Sequence, residues 1–595
     1  MTVQLALLLS TLLWFLVSLL PASASPAAAQ QYPKRTENGL HMPIFRRESR
    51  PVQRRGTLTG AVGLGDFIDV TYSVLVTVGG VQTPLVLDTG SSDLWIASDA
   101  CTDCAKTVPL FPQASFTQAG MDVKLLYGDS LTGTHAAGVI GTGTVSFAGL
   151  TIPNQFFAAI NNTSTNVIAT GSAGIFGLGF ALNSVIWNKV FSKQFAATAP
   201  ASRRALSAAN DGTRFFPDLT ALVAAPKTKS GRRLAVDYGT RFFPDLTSLV
   251  AAPKTKSSPK RASSDSEAAA LTAAVLQSYA TQGPALTRMV TTNSLAAPMF
   301  AVTLQRNTLD IGGNAGVLSI GALPGTLRET DLLWAPVRKY PNALRAPADS
   351  PNESYPIAWE IFLDDVYLDG VRLPRSNLSS PDIKLSALID TGNSLVRGPA
   401  DVVAAINKQL GGATYACAEP HTLAFSIGGK LFPVDPRDFA EQRFNGQLRD
   451  CVPAVVATDA PEEGRGYQYS WSIGVPFLKG VLAAFHYGNV THPSVDAPRI
   501  GFVSTVPDNA GALLQSAIAK ANAQNGGDEF STTNPAPTGV PVAGGAGTGG
   551  VPLAGKLGGN TGTGADPNGA APRGTGRAGV LAAVVTVAAL VGGFM

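Results

Sequence analysis

Cysteine is scarce, with four residues in a chain of 595. In an exported chain four cysteines form two disulfides, and three pairings are open. Cys101 and Cys104 are near neighbours, whereas Cys417 and Cys451 enclose a longer loop, and pairing each with its near partner is the expectation. The larger loop then stabilises its lobe by about 3–4 kcal/mol. A zinc or redox role for Cys101-Thr102-Asp103-Cys104 needs a second pair of ligands, and the sequence supplies none nearby. Positive charge is missing from most of the chain. Residues 34–55 hold seven Lys/Arg and residues 201–261 hold twelve, leaving 26 basic against 35 acidic residues elsewhere. A remainder of −9 is acidic, which removes support for nucleic-acid binding.

The first 33 residues contain no Lys or Arg, a weak start for an export signal. Residues 5–20 are nevertheless apolar, and Pro21-Ala22-Ser23-Ala24-Ser25 suits cleavage, so residues 1–24 read as a signal peptide. The competing reading is a retained anchor, for which the stretch is short. Residues 578–595 are apolar to the last residue and follow a small, polar segment containing Asn568-Gly569-Ala570. That order matches a lipid-anchor attachment signal, with Asn568 or Gly569 as the attachment residue; a tail-anchored helix is the alternative. The expected location is the cell surface, anchored to plasma membrane or wall.

Helical periodicity is also sparse. From residue 56 to about 181, and again from about 299 to 506, short apolar runs alternate with Gly-rich turns. Ser73-Val74-Leu75-Val76-Thr77-Val78, Gly79-Gly80, Pro84-Leu85-Val86-Leu87 is one example. Such texture argues for all-β lobes, with short helices near residues 401–410 and 268–280. Between about 195 and 266 the composition shifts to Ala, Ser, Lys and Arg. There residues 212–230 recur at 239–257 with one substitution, a duplication offset by 27. Two copies are too few for a solenoid, so the segment reads as a disordered surface insertion. Residues 525–577, rich in Gly, Thr, Pro and Ala, read as a flexible stalk. The divisions expected are propeptide 25–55, N-terminal lobe 56–322, C-terminal lobe 323–506, stalk 507–577 and attachment signal 578–595.

One motif appears twice. Residues 85–92 read Leu-Val-Leu-Asp-Thr-Gly-Ser-Ser, and 387–394 read Ala-Leu-Ile-Asp-Thr-Gly-Asn-Ser. Each is an apolar strand that delivers an Asp into a Thr-Gly turn, where the missing Cβ permits close approach. Two related lobes can set Asp88 and Asp390 face to face. Carboxylates about 3 Å apart cannot both ionise, so they share a proton. One then serves as general base for a water, and the other, protonated, polarises a scissile carbonyl. No metal, cofactor or covalent nucleophile is required.

The chain resembles the pepsin family in its fungal secreted and anchored form, over residues 56–195 and 268–506. The run Asp88-Thr89-Gly90-Ser91-Ser92-Asp93-Leu94-Trp95 carries the likeness most strongly. Tyr127-Gly128-Asp129-Ser130 resembles the flap over the substrate. Residues 174–179 and 471–474 resemble the segments supporting the catalytic loops, and Arg499-Ile500-Gly501-Phe502 the closing strand. The resemblance implies a bilobal β fold with an extended cleft for a β-like peptide. It implies that Thr89 and Thr391 brace the loops from opposite lobes, that Ser91 bonds Asp88, and that the Tyr127 hydroxyl bonds Trp95. It also suits a Cys417–Cys451 disulfide. Gly90, Gly392 and Asn393 complete the loops. There are departures: Asn393 stands where a small hydroxyl residue usually touches the second aspartate, Val475 where an Asp often follows, and the flap lacks a Gly after Asp129. Asp129 either favours a basic residue before the cut or is a solvated turn carboxylate.

Residues 39–47 resemble a short family propeptide, expected to block the cleft until removed near Arg54-Arg55. Arg203-Arg204 and Arg232-Arg233 offer clipping sites in the insertion. Glycosylation sequons stand at Asn161, Asn162, Asn352, Asn377 and Asn489, the first two overlapping. Polypeptides are the expected substrates and a monomer the expected state. The alternatives are a catalytically inactive binding protein or an anchored structural surface protein. Inactive relatives usually lose one Asp-Thr-Gly; this chain keeps both.

Overall fold

A computed structural model of the chain describes residues 34–36, 39–41 and 58–525, apart from 68–70, 103, 105–107, 128–133, 199–260, 305–315, 326, 342, 379–384, 443–447 and 459–469. The export signal, the duplicated repeat, Gly128, Asp129, Asn568, Gly569 and the apolar tail lie outside the described residues.

Strand-forming runs dominate, as their β-branched and aromatic content dictates. A continuous 13-stranded sheet begins with Leu333–Pro336 and passes through Arg499–Ser504, Val481–His486, Met299–Leu304, Gly316–Ile320 and Gly60–Phe67. These six strands, drawn from the start, middle and end of the folded chain, join the halves. The sheet continues through Thr71–Val78 and Val81–Asp88 into the N-terminal lobe.

Each lobe repeats one arrangement. Val81–Asp88 lies parallel to Gly174–Gly177, which lies antiparallel to Leu94–Ala97, itself parallel to Leu150–Thr163. In the second lobe Ser386–Ile389 lies parallel to Trp471–Ile473, that strand antiparallel to Val396–Gly398, and Val396–Gly398 parallel to Val455–Ala457. In both, the first strand ends at the Asp-Thr-Gly turn, so the duplicated motif reflects a duplicated architecture. The fold is all-β and two-lobed.

An aromatic cluster fills the seam between the lobes. Phe180 meets Trp359 at 4.4 Å between ring centroids, Trp359 meets Tyr487 at 4.9 Å, and Phe300 stacks on Phe485 at 4.7 Å. Disulfides join Cys101 to Cys104 and Cys417 to Cys451, as expected from proximity.

Helices occupy Val185–Thr198, Arg261–Gln282, Ala285–Thr291 and Ala400–Gln409. The first two border the insertion and pack together: Trp187 Nε1 donates to Ser278 Oγ at 2.9 Å, and the Trp187 and Tyr279 rings meet edge-on. The insertion margins are therefore helical, narrowing it at both ends. A second correction concerns the stalk. Residues 510–525, assigned to it, form the helix Ala510–Asn525, which packs against Pro436–Phe439. Ala510, Leu514, Ile518 and Ala521 are buried along one face. Their spacing follows helical periodicity, and burying that stripe outweighs the low-complexity appearance. Leu514→Ala is expected to cost about 2–4 kcal/mol, read from urea unfolding; an unchanged midpoint would show the helix does not belong to the fold.

Candidate active site

The two Asp-Thr-Gly turns meet at the seam. Asp88 ends its strand, with its carbonyl accepting from the Leu178 amide at 2.8 Å, and the Asp390 amide donates to the Ile473 carbonyl at 3.0 Å. The segments at 174–179 and 471–474 thus hold the strands that lead to Asp88 and Asp390 by parallel pairing. Thr89 Oγ1 donates to the Ile389 carbonyl at 2.8 Å and accepts from the Thr391 amide at 2.9 Å. Reciprocally, Thr391 Oγ1 donates to the Leu87 carbonyl at 2.6 Å and accepts from the Thr89 amide at 3.0 Å. Both threonines are buried, and each satisfies main-chain groups that would otherwise be stranded.

The glycines are required by what faces them. A Cβ on Gly90 would stand 2.5 Å from Asp390 Oδ2, and one on Gly392 2.5 Å from Asp88 Oδ1. Removing the side chains lets each turn press against the opposing carboxyl. Asp88 and Asp390 are consequently within hydrogen-bonding reach of each other.

The hydrogen-bond donors are unequal. Asp88 Oδ1 accepts from the Gly90 amide at 2.8 Å and the Ser91 amide at 3.2 Å, while Ser91 Oγ donates to Oδ2. Asp390 Oδ1 accepts from the Gly392 amide at 2.8 Å. Asn393 turns elsewhere, with its Nδ2 donating to Ser472 Oγ at 2.9 Å. Burial pushes both carboxyls up from the ordinary range, with the Ser91 and Gly90 donors restraining Asp88. Asp390 is pushed well up, by burial and then by the Asp88 charge. The geometry favours one proton held between them.

Tyr127 ends the strand Thr117–Tyr127, which forms a hairpin with Thr134–Phe147 beside the site. Its ring lies 6.4 Å from that of Trp95. The Trp95 indole N–H and the Ser91 side chain both lie close enough to the Tyr127 hydroxyl to act on it, although the indole N–H is not aligned as a hydrogen bond to it. Burial, with the Asp93 and Asp88 charges, keeps the Tyr127 hydroxyl protonated.

Three features were missed by sequence reasoning. Asp93 caps the Val185–Thr198 helix, accepting from Ser184 Oγ at 2.5 Å, the Val185 amide at 2.9 Å and the Ile186 amide at 3.0 Å. The Leu178 carbonyl accepts from Trp359 Nε1 at 2.9 Å and Tyr487 Oη at 2.6 Å, tying the first loop to the second lobe. Buried Glu360 accepts from Arg338 at 2.8 Å and Ser386 Oγ at 2.6 Å, bracing the strand that leads to Asp390. The signals lay in separate segments and became readable only when the fold joined them.

The profile of the eukaryotic aspartyl protease family matches residues 71–201 and 269–493. The chain belongs to the eukaryotic aspartyl protease family. Within this aspartyl protease family, it is 41% identical over 128 residues to Rhizopuspepsin-2 of Rhizopus niveus, covering 20% of this chain and 32% of that protein. Against the major aspartyl peptidase 1 of Cryptococcus neoformans it is 23% identical over 464 residues, covering 74% and 71%. Against an aspartic protease of Phaffia rhodozyma it is 24% identical over 450 residues, covering 72% and 75%. The match therefore spans about a third of the first relative and over two thirds of the other two.

The sequons of this family member at Asn162, Asn352 and Asn377 are exposed, and those at Asn161 and Asn489 half-buried.

Burial raises the Asp93 carboxyl to about 6, above its ordinary 3.8, against the pull of its three donors. Its folded-state affinity for a proton exceeds its unfolded one, so its contribution to stability is full below about pH 3.8 and is lost as pH rises through about 6. Asp93→Asn is expected to flatten the fall in stability across that window. Unfolding midpoints that decline equally in both proteins would contradict this.

Proposed function

We propose that the chain is an aspartic endopeptidase that hydrolyses polypeptides with a water activated between Asp88 and Asp390. The single observation carrying this reading is the pair of carboxyls brought within hydrogen-bonding reach at a seam between equivalent lobes. Asp88, with three donors on its oxygens, is the better seat for negative charge; Asp390 is the better seat for the proton. In a peptide complex the ionised member takes a proton from water as the oxygen attacks the carbonyl carbon. The protonated member donates to the carbonyl oxygen, giving a neutral diol. As the C–N bond breaks, the newly protonated member gives its proton to the amide nitrogen and the other takes back the proton of a diol hydroxyl, which releases two peptides and restores the singly protonated dyad. Tyr127, on the hairpin above, closes the substrate against the site, and Trp95 supports its ring.

The same reading extends to the cell. Residues 1–24 direct secretion, residues 25–55 form a propeptide, and attachment at Asn568 or Gly569 places a monomeric enzyme on the surface. These rest on sequence pattern.

The test is cleavage of a denatured protein by purified enzyme lacking its propeptide, between about pH 3 and 7. Asp88→Asn and Asp390→Asn should each reduce the rate by at least about a thousandfold. Comparable rates in either variant would exclude the dyad, and an inactive parent would favour a peptide-binding role.

A further inference from the structure

The two catalytic loops supply an internal comparison. Asp88-Thr89-Gly90-Ser91 and Asp390-Thr391-Gly392-Asn393 hold equivalent positions at the ends of equivalent strands. In the first, the fourth residue reaches back: Ser91 Oγ donates to Asp88 Oδ2. In the second it does not. Asn393 Nδ2 donates to Ser472 Oγ at 2.9 Å and lies 3.3 Å from the Ser472 carbonyl, while its Oδ1 accepts from the Leu395 amide at 3.1 Å.

The strand behind each loop explains the difference. Leu87 is in register with Phe176, and Ile389 with Ile473, so Ser472 is the counterpart of Ile175. Ile175 is apolar and packs with Trp95 and Val86, so its side chain offers Ser91 no hydrogen-bond partner. Ser472 offers both its hydroxyl and its carbonyl to Asn393. The two positions differ together: Ser91 with Ile175, Asn393 with Ser472.

We propose that Asn393 and Ser472 form a positioning pair that withholds a side-chain donor from Asp390, so that the dyad keeps its shared proton, and hydrolysis persists, to higher pH than a dyad with a hydroxyl on both sides. The inference deepens the endopeptidase reading and rests on it. A hydroxyl donated to Asp390 stabilises its ionised form. Without it, the proton that must remain for catalysis leaves later as pH rises. The ionisable groups facing the dyad do not reverse this. They are the two aspartates themselves, Tyr127, which stays neutral, and Asp93, whose charge bears on Tyr127. The upward displacement of Asp390 beyond its ordinary range agrees in direction.

The test compares pH profiles of kcat/KM for the parent and Asn393→Ser, which copies the first lobe, with Asn393→Thr as a second variant should the first fail to fold. Loss of activity on the alkaline side should move to lower pH by about one unit, a roughly tenfold loss at pH values just above the parent's limb. Adding Ser472→Ile should preserve that displacement, and the Asp93→Asn background should leave it intact. A limb that stays in place or moves upward in an active variant overturns the inference alone. A parent that does not cleave at any pH overturns the endopeptidase reading and this inference with it.

Discussion

Thr89 and Thr391 each donate to the main chain of the opposite lobe and accept from the other's amide. The placement of Asp88 and Asp390 depends on that exchange. Neither lobe completes its own Asp-Thr-Gly turn, because the carbonyls of Leu87 and Ile389 find their hydroxyl donors only across the seam. In a buried setting an unmet carbonyl or amide costs on the order of 1–3 kcal/mol, so separating the lobes exposes several such debts together. The cross-bonds also fix how near the glycines come to the facing carboxyls. Asp88 and Asp390 are therefore held close by the same contacts that hold the lobes together. Trp359 and Tyr487 add a second tie through the Leu178 carbonyl, one peptide beyond Gly177, which stands in register with Asp88.

Around this near-symmetric frame the electrostatics are unequal. Donors gather on Asp88, while Asp390 retains fewer, and the Asn393 side chain is committed to Ser472. Two buried acids close together favour a single proton between them whatever the donors, since burial and mutual repulsion act in the same direction. The donors decide where that proton rests. Asp93 is a third buried carboxyl close by, but its oxygens serve the Val185–Thr198 helix rather than the dyad.

Much of this was legible in the residues. The paired Asp-Thr-Gly turns, their apolar approach strands and the supporting Gly-bounded segments are local patterns, and local patterns survive in sequence. The near-neighbour disulfides were legible because chain proximity and structural proximity coincide. Contacts between distant segments were not. Nothing in Asp93 says that it will meet Ser184, 91 residues later, nor in Leu178 that two aromatic donors from the second lobe will converge on it. The helix Ala510–Asn525 was hidden for another reason: its Ala-rich composition merges with the Gly- and Ala-rich run that follows, and the buried stripe is only four residues. Asn393 stood out as a departure, but its direction away from Asp390 required the position of Ser472.

The most direct measurement of the central claim is calorimetric binding of a statine-type peptide analogue, whose hydroxyl occupies the place of the attacking oxygen. Titrations in buffers of different ionisation enthalpy would count the protons linked to binding. A dyad shared between the lobes predicts one analogue per chain, affinity that weakens as the shared proton is lost with rising pH, and loss of that pH dependence in Asp390→Asn. Binding that shows the same pH dependence with and without the Asp390 carboxyl would contradict it.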